Sequence, residues 1–305
     1  MTSPESQALV TLYKRWNSRF AADPPLDRDS TLDLYDGWGR LATEAEGVTY
    51  RTVDANRVAG LWALPPDGRT DAAIIWAHGG GYIAGSPDSH RKLAGHVAKQ
   101  SGIPVLLFAY RLVPEHPFPE SQLEDARTVW DWVMGQGIPA QRIGLAGDSA
   151  GGGLATLFTL RLRDAAEALP GAVAVLSPML DMTGESESLA AKAGVDLLSS
   201  PMGMKGLADL VLGGRYSAAD PAVNPLKADA RDLPPYFLSV GGDEGLLDDS
   251  VVFAARVREA GGEAEVEVVP GMQHVFQFMA GNAPEADESI VRIGDFLRSH
   301  LLEQR

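Results

Sequence analysis

Short apolar runs alternate along this chain with longer segments whose apolar positions return every three or four residues. The runs are Gly47–Val53, Arg57–Leu64, Ala72–Ala77, Pro104–Ala109, Arg142–Ala146, Ala172–Leu176, Tyr236–Val240 and Ala264–Val269. Each has strand length, is rich in Val, Ile, Leu or aromatic residues, and is bounded by Gly, Pro or Asp. Several are apolar throughout, as parallel strands covered on both faces are. The segments between them predict helices. Ser89–Ser101 places Leu93 and Val97 on one face and stops at Gly102. Ala150–Leu169 carries Leu154, Leu157 and Leu160 before Pro170. Asp249–Ala260 opens on acidic residues and closes at Gly261-Gly262, and Glu285–Leu302 aligns Ile290, Ile293, Leu297 and Leu301. Such alternation predicts an α/β fold on a mostly parallel, eight-stranded sheet. The first two or three strands follow one another too closely for crossover helices and predict an antiparallel edge.

Two stretches interrupt the alternation. One is residues 1–45, before the first strand. The other runs from about 178 to 235, far longer than an ordinary crossover. Both are read as segments of a helical cap over a pocket, with 46–305 as the main domain. The length of 305 residues would also allow two domains at roughly 150 residues each.

Composition removes several chemistries. With no Cys there is no disulfide framework, thiolate metal site or cysteine nucleophile. Lys and Arg number 26 against 41 Asp and Glu, a net charge of −15. Nucleic acid and anionic membrane are thereby disfavoured as partners. No run approaches the ~20 apolar residues that span a bilayer. The first twenty residues lack the continuous apolar stretch of a signal peptide. The expectation is a cytoplasmic protein with no stable membrane association, no cofactor and no metal, for which a homodimer stays open. His90 and His96 fall on different helix faces, and no H-E-x-x-H is present.

Two glycine-rich motifs carry the chemistry that remains. Gly147-Asp-Ser149-Ala-Gly151 is a G-x-S-x-G between a predicted strand and a predicted helix. The glycines let Ser149 sit on a sharp turn, with a helix N-terminus behind it for developing negative charge. His78-Gly-Gly-Gly81-Tyr82 directly follows another strand, and its bare N–H groups can approach a substrate oxygen. It lacks the G-K-[ST] of a phosphate loop. His78 is read as structural.

A serine hydroxyl needs a base and an orienting acid. Only His274 and His300 follow Ser149. His300 lies inside the last helix and is read as a solvated surface residue, whereas His274 follows the last strand. For the acid, Gly241-Gly-Asp243-Glu244 ends the seventh strand. Asp243 is preferred, with Glu244, Asp248 and Asp249 as rivals. The last two are read as caps of the next helix.

Together, His78–Tyr82, Tyr110-Arg-Leu-Val-Pro-Glu-His-Pro-Phe-Pro119, Gly147–Gly152, Gly242–Asp248 and Gly271-Met-Gln-His274 resemble the hormone-sensitive-lipase family of α/β-hydrolases. Within it the chain is similar to bacterial carboxylesterases and monoterpene ε-lactone hydrolases, from about Val48 to the C-terminus. The resemblance implies the α/β-hydrolase fold, Ser149 as nucleophile, His274 as general base and Asp243 as its orienter. It implies an oxyanion hole from the N–H groups of Gly80, Gly81 and Ala150. The Tyr110–Pro119 loop is by resemblance a scaffold, and His116 there is read as structural. The family's acid motif is more compact, with Pro after the Asp, where Glu244-Gly245 stand here. Tyr82, Met202, Met204 and Phe276 are taken as pocket residues, although a stripe such as Met202, Met204, Leu207 and Leu210 also reads as a cap's own core. The implied function is hydrolysis of short- to medium-chain neutral esters through an acyl-enzyme. The alternatives are lactone, carbamate or amide hydrolysis on the same triad and, remotely, a ligand receptor without catalysis.

Overall fold

The computed structural model describes residues 2–21 and 23–303. The eight predicted strands are present as β1 (Thr49–Ala55), β2 (Val58–Leu64), β3 (Ala73–Ala77), β4 (Val105–Phe108), β5 (Ile143–Asp148), β6 (Ala172–Leu176), β7 (Tyr236–Gly241) and β8 (Ala264–Val269). They form one sheet in the order β1-β2-β4-β3-β5-β6-β7-β8. The pairs β1·β2 and β2·β4 are antiparallel, and every later pair is parallel. The antiparallel edge therefore comprises β1 and β2 only. β3 sits deep in the sheet between β4 and β5, because its fully apolar run needs cover on both faces.

Alternate residues of β3 show how the two layers arise. Ile75 and Ala77 join the core on one face, and Ile74 and Trp76 join the core on the other. The first core is closed by α4 (Glu120–Gly135), α5 (Ala150–Asp164) and α8 (Leu247–Glu259). The second is closed by α3 (Pro87–Ser101) and α9 (Pro284–Leu302). Each large apolar side chain buried this way contributes about 1.5–3 kcal/mol. Helix α3 is fixed at both ends. Ser86 and Ser89 form a capping box, and Gly102 ends the helix in the left-handed conformation.

Three helical expectations need adjustment. α4 was not evident in the sequence, since the buried face that carries Val129, Trp130 and Val133 also carries Ser121, Gln122 and Asp125. Asp125 is matched there by Arg111, 2.8 Å away. α5 stops at Asp164 rather than Leu169, because Ala166 turns left-handed and Glu167 N–H closes on Leu162 O. Asp248 and Asp249 lie in the first turn of α8 and do not cap it.

The two interrupting stretches contain α1 (Gln7–Phe20) and α2 (Arg28–Tyr35), then α6 (Glu187–Ala191) and α7 (Pro201–Leu212). Leu9, Tyr13, Trp16 and Trp38 extend one core, whereas Met204, Ala208, Val211 and Leu212 extend the other. Among the described residues no helix is long and apolar enough to cross a membrane.

Candidate active site

The carboxyl ends of β3, β5, β7 and β8 lead into His78, Ser149, Glu244 and His274. A parallel sheet thus delivers all four loops to one edge, where α/β sheets bind their ligands.

Ser149 follows β5 directly and precedes α5. Its φ of 52° and ψ of −122° lie where L-residues rarely sit, at a cost of about 1–3 kcal/mol. Long-range backbone bonds hold it there. Ser149 N–H donates to Leu176 O at 2.9 Å, and Met179 N–H donates to Ser149 O at 2.9 Å. A Cβ on Gly151 would collide with the carbonyls of Ala77 and His78. The second motif glycine therefore lets the helix approach β3.

Beneath the elbow, Asp148 is fully buried. Its carboxylate accepts the Trp76 indole N–H at 3.0 Å and lies 3.1 Å from His90 Nε2. Burial alone would raise its pKa, but His90, the Trp76 N–H and His78 outweigh burial and lower it.

The glycine loop turns back on itself. Gly80 O accepts N–H bonds from Ile83 and Ala84, and a Cβ at Gly80, with φ 118°, would collide with the Ala84 carbonyl. Among the described residues the N–H groups of Gly80 and Gly81 donate to nothing. Ala150, as the first residue of α5, has an N–H with no intrahelical acceptor. His78 is buried, its pKa pushed down to about 3 by desolvation and by His90. It is therefore a neutral ring, stacked on Tyr110 at 4.1 Å, whose hydroxyl donates to His78 O.

The acid is where structure and expectation part. His274 Nδ1 lies 2.8 Å from Glu244 Oε2, with both side chains buried. Asp243 is a third exposed and points to Lys192, 3.7 Å away. β7 continues to Gly241, and the turn closed by Glu244 N–H on Gly241 O folds the longer Glu side chain back under the strand end. Glu244 Oε1 there accepts the Gly241 N–H and the Ser177 hydroxyl. Asp248 accepts Ser188 N–H and Asp249 accepts Leu180 and Asp181 N–H, so the other two rivals serve the insertion. Burial lowers the His274 pKa, but the Glu244 hydrogen bond and charge, with Asp196 and Asp148 beyond, outweigh it and leave the pKa raised.

Ser149, His274 and Gly81 line one cavity of about 420 Å³. Phe20, Tyr35 and Trp38 reach it from the N-terminal stretch, and residues of 198–210 reach it from the insertion. Of the expected pocket residues only Met204 lines it. Met202 points outward, 84% exposed. Tyr82 is buried against Phe118, with ring centres 4.3 Å apart, and Phe276 lies in the core under the sheet edge. His300 is half-buried, its ring tilted against Phe296 and 3.1 Å from Glu263, whereas His116 is exposed. Ser177 could have been noticed as a polar residue ending the apolar β6. Nothing local marks Tyr35 or Trp38 as cavity residues.

A family profile described as the α/β-hydrolase fold matches residues 74–278. An acetyl-hydrolase of Streptomyces hygroscopicus is 33% identical over 303 residues, 98% of each chain. An ethyl acetate hydrolase of Pseudomonas putida is 32% identical over 75% of this chain and 74% of its own length. The crystal structure of an esterase from the bacterial hormone-sensitive lipase family superposes with a TM-score of 0.92 at 36% identity, covering 99% of both chains. The chain belongs to the α/β-hydrolase family, in its hormone-sensitive-lipase branch. It is a carboxylic ester hydrolase.

Proposed function

We propose that Ser149, His274 and Glu244 form the catalytic triad, and that neutral esters of short to medium acyl length are the substrates. Ser149 Oγ attacks the ester carbonyl while His274 takes its proton. Glu244 holds the Nδ1 side of the ring and balances the imidazolium charge. The oxyanion lodges against the N–H groups of Gly80, Gly81 and Ala150. His274 returns the proton to the leaving alcohol, and water, activated by the same base, releases the acid. The segments 1–45 and about 178–235 serve as the cap, contributing the apolar walls of the cavity to the main domain 46–305.

The observation that carries this reading is the convergence of three groups on one cavity. These are a serine held at positive φ, a histidine already bonded to a buried carboxylate, and a glycine loop with uncommitted N–H groups. A volume of about 420 Å³, lined among the described residues by no Asp, Glu, Lys or Arg, suits a small neutral ester. The printed activities of the relatives, acetyl-hydrolase and ethyl acetate hydrolase, favour the short end of the range.

The test is Ser149→Ala, expected to lower kcat by at least about 10³-fold with the fold intact. Retained turnover removes the reading. A panel of p-nitrophenyl esters, lactones and anilides then fixes the class. Faster turnover of lactones or anilides than of esters would overturn the ester assignment.

A further inference from the structure

The peptide unit that joins His274 to Val275 is gripped from both sides. Its N–H, on Val275, donates to Ser177 Oγ at 3.0 Å. Its carbonyl, on His274, accepts the hydroxyl of Tyr13 at 2.7 Å. Tyr13 lies on α1, 261 residues away in sequence, and is completely buried. The Tyr13 oxygen in turn accepts the indole N–H of Trp38 at 3.0 Å. Trp38 stacks on Phe278 at 4.9 Å, just beyond the histidine loop, and also lines the cavity.

This grip coincides with strain. Val275 has φ 48° and ψ 51°, a left-handed conformation that is an outlier for a β-branched side chain. Such a conformation persists only where its surroundings over-determine it. Rotating the His274–Val275 peptide would relieve Val275, and would swing the residue whose ring must stay on Glu244. Ser177 and Tyr13 each hold one end of that peptide. Ser177 also donates to Glu244, so its share is inseparable from the acid. Tyr13 makes no hydrogen bond to the acid or to the ring. It acts on the backbone alone.

We infer that Tyr13 is a positioning residue for the general base: its hydroxyl, oriented by Trp38, holds the His274–Val275 peptide so that the imidazole stays on Glu244. The N-terminal stretch is then part of the catalytic apparatus as well as a wall of the pocket. Burial raises the Tyr13 phenol pKa well above its ordinary value, which keeps the hydroxyl a donor at every working pH. The carboxylates acting on His274 are Glu244 in contact, with Asp196 and Asp148 beyond. None of them bonds to Tyr13.

The inference rests on the triad proposed above, and Tyr13→Phe tests it in the full-length enzyme. The ring stays in its slot and only the hydroxyl is lost. We expect kcat to fall about 10-fold or more, given what small misplacements cost, with KM within about 2-fold because Tyr13 does not line the cavity. The acid limb of the kcat/KM profile should move down toward the ordinary imidazole value of about 6.5 as the ring drifts from Glu244. A purely structural role would lower Tm without moving that limb. In a Val275→Gly background, where glycine accepts the left-handed turn freely, the same change should cost less, about 3-fold in kcat. That pair also carries the test should Tyr13→Phe alone not fold, with no loss against Val275→Gly overturning the inference. Wild-type kcat and an unmoved acid limb in Tyr13→Phe overturn it as well. If Ser149→Ala is dead while Tyr13→Phe is unaffected, only this inference fails. If Ser149→Ala is active, the triad itself is wrong.

Discussion

The two sides of the proposed triad, nucleophile and base, are built by different means. Gly80, Gly81 and Ala150 work through backbone N–H groups, and the Ser149 side chain is aimed by the backbone that carries it. Their geometry comes from glycines, one strained serine and the first turn of α5, all within a few residues of β3 and β5. His274 and Glu244 work through side chains, and their supports come from far along the chain: Ser177 after β6, Tyr13 on α1, and Asp196 in the insertion, which accepts Gly245 N–H at 2.6 Å. A site made of backbone is compact in sequence and tolerates little substitution at its glycines. A site made of side chains is dispersed, and its parts can be exchanged provided a carboxylate reaches the imidazole. Glu244 standing in for the expected Asp243 is an instance of such an exchange.

The sharpest way to break this contrast is to interchange the acids. Glu244→Gln should lower kcat by about 10³-fold, because the amide cannot balance the imidazolium. Asp243→Asn, which removes only a partly exposed charge near Lys192, should stay within about 2-fold. A crippled Asp243→Asn beside an active Glu244→Gln would return the acid to Asp243. A smaller effect separates the sides by pH. With neutral imidazole as the proposed base, kcat/KM should rise as pH rises through the His274 pKa. With that pKa raised by Glu244, the rise in the wild type should be centred above about 6.5. A limb at or below that value would show the carboxylate bond to be weaker than its geometry implies.

The smallest effect concerns Asp249, which holds the backbone after β6 by accepting two N–H bonds on one oxygen. Burial pushes its pKa up to about 8. A carboxyl whose folded pKa lies above its unfolded value of about 3.9 is least costly when protonated. Stability is therefore lost as pH rises from about 4 through about 8. Asn keeps an oxygen for both N–H groups and does not titrate. Asp249→Asn should thus lie nearest the wild type near pH 4 and gain on it steadily, by at least about 1 kcal/mol, or ~2 °C in Tm, by pH 8. Parallel melting profiles for the two proteins would contradict this.

How far the sequence could be read follows the same division. The eight strands, the elbow and the glycine loop were legible because each is local: an apolar run, or glycines spaced around a serine. The turn after β7 was not, since whether Asp243 or Glu244 turns inward depends on one extra strand residue and a hydrogen bond to Ser177, 67 positions away. Met202 and Met204 stand two residues apart, so α7 turns one to solvent and the other to the cavity, and they cannot both be pocket residues. α4 escaped notice because its buried face includes Asp125, whose partner Arg111 lies outside the helix. Tyr13 carried no local signal at all, since its partner carbonyl is reached only through the fold.

The lining of the cavity has a further consequence, for the end of the reaction. Hydrolysis turns a neutral ester into a carboxylate in a chamber whose lining, among the described residues, offers no lysine or arginine as counter-ion. Glu244, Asp196 and Asp148 all bear on the histidine beside it, and the whole protein carries a charge of −15. Once ionised, the product acid meets no cationic side chain there, among the described residues, other than His274 when that ring is protonated, and otherwise only backbone N–H groups. Release of that anion should therefore follow the protonation of His274, and accumulated acid should compete poorly with fresh ester once that ring is neutral.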